Sequence, residues 1–281
     1  MGYRTHRRLG QTLLVLVLSV GAVFLMLPFI YMIPTSLKGQ VYVFEFPPRF
    51  IPSHPTWNNF LSAWRSNNFG RYFLNSVQVA LITTVLEIFL SSTVAYAFAR
   101  FEFPAKNVLY YTLLATLMVP GMMLIIPQFM LAARLKLLNS LAGLILAYTA
   151  GGIAFNTFLL RGFFEQLPRE LEEAALIDGG THLTIFFRIL LPLSTPALAT
   201  VGIFTFLGAW DEYVWALTTI NEPLKRTLPI AIANFQGTHA SDWGLVFAGS
   251  LIAIVPVLTV FVLLQRYFVK GLTAGAIKVK G

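Results

Sequence analysis

Six long apolar runs constrain the fold of this chain more than any other feature. Each run is at least 21 residues long, and a helix of about 20 residues crosses the roughly 30 Å hydrocarbon core of a bilayer. Backbone groups in lipid need partners within the protein, so the runs are predicted to be transmembrane helices. The six runs are Leu13–Ile33, Phe73–Ala99, Val108–Ala132, Ser140–Leu160, Leu193–Thr219 and Gly244–Leu264.

The composition excludes an ordinary soluble domain, because 57% of the residues are hydrophobic and 11% are charged. The net charge of +8 does not indicate a nucleic-acid partner, since the basic residues flank the apolar runs and form no single patch. The absence of cysteine excludes disulfides and cysteine-based metal sites. We therefore predict an all-α membrane protein with one transmembrane domain.

The positions of the basic residues predict the orientation of the chain. An even number of spans places both termini on one side, and positive residues favour the cytoplasm. The flanking residues are Arg4, Arg7, Arg8, Arg266, Lys270, Lys278 and Lys280. Both termini are predicted to be cytoplasmic, although Arg134 and Lys136 run against the bias. The first run is too long for the apolar core of a signal peptide.

One connecting segment and several proline residues allow further structural predictions. The segment Thr35–Arg71, on the predicted outer side, is rich in proline and is expected to be extended. Its aromatic residues, Trp57, Phe60 and Trp64, are candidates for anchors at the membrane interface. Three of the proline residues within the apolar runs are expected to kink their helices, namely Pro120, Pro127 and Pro256.

The stretch Pro168–Pro192 is the longest polar interruption on the predicted inner side. The proline at its start suits the first turn of a helix, and three glutamates follow near the positive end of the helix dipole. Gly179 predicts a stop, because glycine tolerates the left-handed conformation. Thr181 is expected to cap a second helix, His182–Leu191, which the final proline delimits. The stretch is predicted to be a helix-turn-helix.

This stretch resembles the EAA loop of the membrane subunits of ABC importers. The matching positions and their neighbours are Glu173, Ala174, Ala175, Asp178, Gly179, Ile189, Leu191 and Pro192. Several further stretches are similar to the carbohydrate-uptake subfamily of these permeases, and they are NSV at 75–77, AYAFARFEFP at 95–104, LKLLNSLAGLIL at 135–146, FTFLGAWDEYVWAL at 204–217, KRTLPIAIANF at 225–235 and QRYFVKGLTAGAIK at 265–278. The resemblance is to the smaller, six-span partner of maltose-type and glycerol-phosphate-type importers.

The resemblance implies a type I importer permease in the cell (inner) membrane, with a cytoplasmic coupling loop at 168–192. It implies a heterodimer with a second permease subunit, two ATPase subunits inside and an extracytoplasmic solute-binding protein outside. The EAA-loop positions named above would contact the ATPase. The C-terminal tail, Gly271–Gly281, would reach the ATPase pair, and the alternative is a frayed tail near anionic lipid.

No catalytic or metal site is expected in this chain. It contains no GxxxxGK[ST], HExxH or GxSxG motif, and its four histidines are scattered. ATP and Mg²⁺ are therefore expected on the partner ATPase, with no cofactor here. The alternative is a secondary, ion-coupled transporter, which would carry its own ion-coupling residues and usually an internal repeat. Glu87 fits that alternative, but no repeat is visible.

Five residues are candidates for a substrate pathway. Glu87 lies near the middle of an apolar run, where a carboxylate is costly. It either binds sugar hydroxyls or makes a structural hydrogen bond, and the same two interpretations apply to Asn156. Trp210, Asp211 and Tyr213 combine aromatic faces with polar groups, as sugar sites do. The alternative for this group is an aromatic belt at the outer interface, favoured for the neighbouring Trp215. The similar permeases often carry Asn at the position of Asp211.

Overall fold

A computed structural model describes residues 2–39, 50–66, 68–236 and 242–276, which are helical with short connections and form no strand within those ranges. The α-helices are α1 (Gly2–Ser36), α2 (Asn58–Arg65), α3 (Phe69–Arg100), α4 (Lys106–Ala115), α5 (Ile125–Arg134), α6 (Leu141–Phe164), α7 (Glu170–Ile177), α8 (His182–Ile185), α9 (Leu191–Leu193), α10 (Thr195–Asp211), α11 (Val214–Thr219), α12 (Leu228–Ala233) and α13 (Trp243–Ala276). Predictions that involve Lys278, Lys280 and the end of the tail lie outside the described residues.

Four helices are long and apolar enough to cross a membrane by themselves. They are Gly10–Ser36, Phe69–Arg100, Leu141–Phe164 and Trp243–Tyr267. They coincide with the first, second, fourth and sixth apolar runs, and the all-α membrane fold is confirmed. Two bent helix pairs raise the count to six if each pair is one span.

The third apolar run is divided into two helices. Lys106–Met118 and Gly121–Arg134 are bent by 94° at their junction. Val119 there is extended, with φ −89° and ψ 118°, because the proline that follows it disfavours the helical conformation. The kink predicted at Pro120 is therefore a complete break of the helix. Pro127 lies inside α5, and α13 continues through its own proline.

The fifth run also differs from the prediction of one helix over Leu193–Thr219. Helix α10 ends at Asp211, and Glu212 is extended with φ −67° and ψ 122° before α11 begins. The other end of α10 meets the preceding helical stretch at an angle of 77°. The prediction that Pro192 ends its helix was wrong, since this proline lies inside α9. Proline is tolerated there because Phe186–Leu190, just before α9, are π-helical, and such local adjustments satisfy the backbone groups that a proline frees.

The chain divides into two compact units, of which the first comprises residues 1–69 and 232–254. Its described part includes the whole of α2 and the C-terminal end of α1. The amide of Asn59 on α2 is buried and donates to the carbonyls of Ser36 and Lys38, both at 2.7 Å. The prediction that Thr35–Arg71 is extended was therefore wrong for Asn58–Arg65, which form α2. Residues 40–49 and 67 lie outside the described residues. Trp57 remains exposed.

The second unit comprises residues 70–231 and 255–281. One of its cores joins α3, α6, α10 and the helical stretch after Thr181. Its buried residues are Ala95, Tyr96, Ala99, Leu160, Phe164, Ile185, Phe186, Leu190, Ala197 and Val201. Half-buried Ala175 packs against this core. One face of α7 is therefore in contact with the core. Short residues such as alanine allow the helices to approach closely.

Candidate functional site

The first helix of the EAA stretch forms where its local chemistry predicts one. The amides of Glu172 and Glu173 bond to the carbonyl of Arg169 and start α7, just after Pro168. Three glutamates occupy the first turn, where the helix dipole favours negative charge. Helix α7 therefore consists of about two turns.

The turn between α7 and α8 confirms two predictions. Gly179 has φ +78°, a conformation that glycine adopts without steric cost, and the amide of Gly180 bonds back to the carbonyl of Ala175 at 2.8 Å. The hydroxyl of Thr181 accepts a bond of 3.2 Å from the amide of Thr184 and caps α8. A sharp turn is therefore encoded in a few adjacent residues.

One face of α7 is attached to the end of α3. Arg100 Nε lies 2.5 Å from Glu172 Oε1, and Arg100 Nη2 donates to the carbonyl of Leu167 at 2.8 Å. The Nε–H itself does not point at an acceptor, so the contact with Glu172 is an ion pair and not a linear hydrogen bond. No local pattern predicted this pair, because its partners are 72 positions apart.

The opposite face of α7 is exposed. Glu173, Ala174 and Asp178 face outward, and Ile177 is 86% exposed. Leu183, beyond the turn, is 70% exposed and extends the apolar surface. The predicted EAA-loop residues therefore divide into two groups. Exposed members are Glu173, Ala174, Asp178, Gly179 and Pro192, and half-buried members are Ala175, Ile189 and Leu191.

A second polar site lies between three long helices. Glu87 on α3 and Asn156 on α6 are both buried, and Asn156 Nδ2 donates to Glu87 Oε1 at 2.5 Å. The same nitrogen donates to Thr205 Oγ1 on α10 at 3.1 Å. The hydroxyl of Ser91 donates to the backbone carbonyl of Glu87. The structure thus joins two of the five pathway candidates. Thr205 was missed, since one threonine in an apolar helix is no signal.

A cavity of about 270 Å³ opens beside this cluster. Its wall on α6 contains Tyr148, Gly152 and Asn156, which share one helix face because they are four residues apart. A Cβ atom at Gly152 would overlap the Glu87 carboxylate. This glycine therefore makes room for the acid, and its spacing from Asn156 is the sequence signal that could have located the cavity.

The other three pathway candidates are not among the described residues that line this cavity. Trp210 is buried between two rings, with centroid distances of 5.8 Å to Phe73 and 5.7 Å to Phe206. Asp211 and Tyr213 are exposed. The preference for an interfacial Trp215 was wrong, because its side chain is buried in a core formed with α6 and α12.

Glu212 has a structural role that sequence reasoning missed. Its Oε1 accepts from the amide of Trp215 at 2.7 Å, and its Oε2 accepts from the amide of Ala216 at 3.0 Å. The hydroxyl of Tyr148 donates to Oε2 at 2.6 Å. This carboxylate therefore starts α11 and attaches it to α6. An acidic residue next to a helix start was the available signal.

Residues 87–274 match the family described as binding-protein-dependent transport system inner membrane component. The chain belongs to this family. The match covers Glu87, the EAA loop and most of α13. It therefore includes both sites.

Several known permeases are similar to this chain over most of their length. The probable ABC transporter permease YurM of Bacillus subtilis is 35% identical, over 96% of this chain and 89% of that protein. The sulfoquinovosyl glycerol permease SmoH of Agrobacterium fabrum is 36% identical, over 96% of this chain and 94% of that protein. The trehalose permease SugB of Mycobacterium tuberculosis is 34% identical, over 91% of this chain and 93% of that protein.

The solved structure of a bacterial ABC transporter that imports alginate contains a chain with the same fold. The TM-score is 0.78 at 25% identity, with 95% of this chain and 99% of that chain covered. This permease is thus an integral membrane transport component and not an enzyme, and ATP hydrolysis belongs to a separate subunit. No cluster of metal ligands occurs in the part of the chain that the structure describes.

Proposed function

We propose that this permease forms half of the translocation pathway of an ATP-driven importer for a sugar or sugar-like solute. The names of SmoH and SugB support the substrate class. In this proposal a second permease subunit completes a heterodimer, and two ATPase subunits bind ATP and Mg²⁺. A solute-binding protein delivers the solute from outside, and the description of the family supports this partner.

The observation that carries this proposal is the division of α7 into two faces. Glu172 and Ala175 hold the helix against α3 and the core, whereas Glu173 and Ile177 remain exposed. A helix fixed on one side and open on the other can transmit a push from a docked protein. Ile177 offers an apolar contact, and Glu173 offers a charge-assisted one that is stronger than a neutral hydrogen bond.

The orientation in this proposal follows the distribution of charge. Both termini and the loop 168–192 are cytoplasmic, and the chain crosses the cell (inner) membrane six times, with each bent pair as one span. The tail, Gly271–Gly281, contacts the ATPase pair. The basic residues that flank the first and last spans support this orientation.

The mechanism that we infer is alternating access. ATP binding closes the two ATPase subunits and moves the docked helix α7. Arg100 passes this movement to α3, because it pairs with Glu172 and holds the carbonyl of Leu167. Helix α3 also carries Glu87, which with Asn156 lines the pathway. Exposed Asp211 and Tyr213 take part at its outer end, and buried Trp210 supports them from behind.

Reconstitution of the complete importer tests this function. Proteoliposomes that contain both permeases and the ATPase, supplied with the binding protein, should take up sugar only with ATP on the ATPase side. Ionophores that remove proton and sodium gradients should leave uptake unchanged. A secondary transporter would give the opposite result, with uptake that follows the ion gradient and ignores ATP.

A further inference from the structure

Two buried oxygens beside the cavity have no hydrogen-bond partner among the described residues. They are Thr83 Oγ1 and Asn156 Oδ1, and both side chains are almost fully buried. Buried polar atoms in native proteins nearly always have partners. Since Thr83 and Asn156 both line the cavity, a polar ligand there would supply the missing bonds.

The chemistry of the wall specifies what kind of ligand fits. Glu87 and Asn156 Oδ1 are hydrogen-bond acceptors, and Phe155 and Phe204 add aromatic surface. A sugar ring matches this arrangement, because its hydroxyls donate hydrogen bonds and its C–H faces pack on aromatic rings. No Lys, Arg or His is among the described residues that line the cavity, so nothing there offsets a negative charge on the ligand.

The size of the cavity limits the ligand further. Its volume of about 270 Å³ is close to the lower end of the range of roughly 300–1,000 Å³ for ligand pockets. One sugar ring fits this space, and a longer oligosaccharide does not. Gly152 maintains it, because any side chain there would displace the Glu87 carboxylate.

We propose that this cavity is a subsite for a single ring of a neutral sugar, and that Glu87 excludes sugars that carry an acidic group. The proposal rests on the proposed function and adds a charge selectivity within it. In this proposal the ionised Glu87 carboxylate accepts hydrogen bonds from the hydroxyls of neutral solutes and repels acidic ones. Gly152 is a positioning residue for that carboxylate.

Binding of two matched probes tests the subsite. Glucose and glucuronate have the same ring, and they differ in a hydroxymethyl group that is replaced by a carboxylate. Saturation-transfer NMR on the complete importer in nanodiscs, without ATP or binding protein, measures each probe separately. Glucose should receive saturation from the wild-type protein, and glucuronate should receive about tenfold less or none.

Variants assign the signal to this cavity. Glu87→Gln should raise glucuronate binding about tenfold relative to glucose, because the charge is removed while the shape remains. Gly152→Ala should weaken glucose binding about tenfold. Gly151→Ala is the matched control, since its Cβ would meet nothing within 4 Å, and it should bind glucose like the wild type.

The outcomes separate this proposal from the proposed function. Equal binding of the two probes, no binding of glucose, or no response to Glu87→Gln in an assembled complex would overturn the subsite. Glu87 would then be a structural hydrogen-bond partner only. ATP-dependent sugar uptake by the same preparation would leave the importer function intact, whereas its absence would refute that function independently.

Discussion

Arg100 Nε lies 2.5 Å from Glu172 Oε1, and this contact joins the last residue of α3 to the helix that carries the Glu-Ala-Ala sequence. The two side chains are only 6% and 15% exposed. Glu87 is on the same α3 helix, 13 residues earlier, or about 20 Å along the axis. One continuous helix therefore connects the polar cavity with the surface that we propose binds the ATPase.

We expect Arg100→Gln to detach α7. Removing one partner of a buried ion pair costs about 3–5 kcal/mol, because the other charge is left uncompensated. Trypsin should then cleave faster at exposed Arg169, and solute-stimulated ATP hydrolysis should fall. Lys106→Gln is the control, since its pair with Glu102, which is 85% exposed, contributes little to stability. Equal effects of the two variants would contradict this role.

Glu173→Lys should abolish ATP-driven uptake and reduce co-purification of the ATPase. The glutamate is exposed on the outer face of α7, and a charge-assisted contact contributes roughly 1.5–3 kcal/mol. Membrane insertion should be unchanged, because no transmembrane helix is altered. Glu170→Lys makes the same charge change in the same first turn. It should reduce ATPase co-purification less than Glu173→Lys if the position of the charge determines docking. Full uptake by Glu173→Lys would show that this face is not the coupling surface.

Gly179→Leu should also abolish coupling, through the backbone. The glycine has φ +78°, a conformation that costs other residues roughly 1–2 kcal/mol. Its added Cβ would meet nothing within 4 Å, so the effect would come from the turn and not from a clash. Gly179→Asn should retain most activity, because Asn tolerates the left-handed region. Solute-stimulated ATP hydrolysis measures both variants, and equal loss in both would exclude this explanation.

Tyr148→Phe and Glu212→Gln should lower the thermal stability of the complex by different amounts. Tyr148→Phe removes one hydrogen bond, of about 1 kcal/mol. Glu212→Gln also weakens the caps at Trp215 and Ala216, so its Tm should fall further. The double variant should lose less than the sum of the two, because both changes remove the same bond. Strict additivity would show that the two side chains do not interact.

Reporter fusions should reveal the orientation. Fusions at Gly281 and in the loop 101–105 should read cytoplasmic, and one near Pro55 should read external. An enzyme that is active on only one side of the membrane gives a separate signal for each position. An external C-terminus would contradict the model of six spans.

Local residue chemistry determined a large part of this protein. Of the six apolar runs that predicted membrane spans, four are continuous helices, and Gly179 and Thr181 predicted the turn and cap of the EAA loop. These features follow from the sequence because each depends on neighbouring residues. A left-handed glycine, a capping hydroxyl and a length that matches the bilayer need no distant partner.

Tertiary packing decided what the sequence left open. The sequence did not identify a partner for Glu87, whereas in the fold α6 places Asn156 beside it and Gly152 makes room for its carboxylate. Glu212 caps α11 because the helix breaks after Asp211. Arg100 pairs with Glu172 because α7 packs near the end of α3. A buried polar group takes whichever partner the fold brings near, since leaving it unpaired is costly. That choice depends on contacts between helices, which no local pattern records.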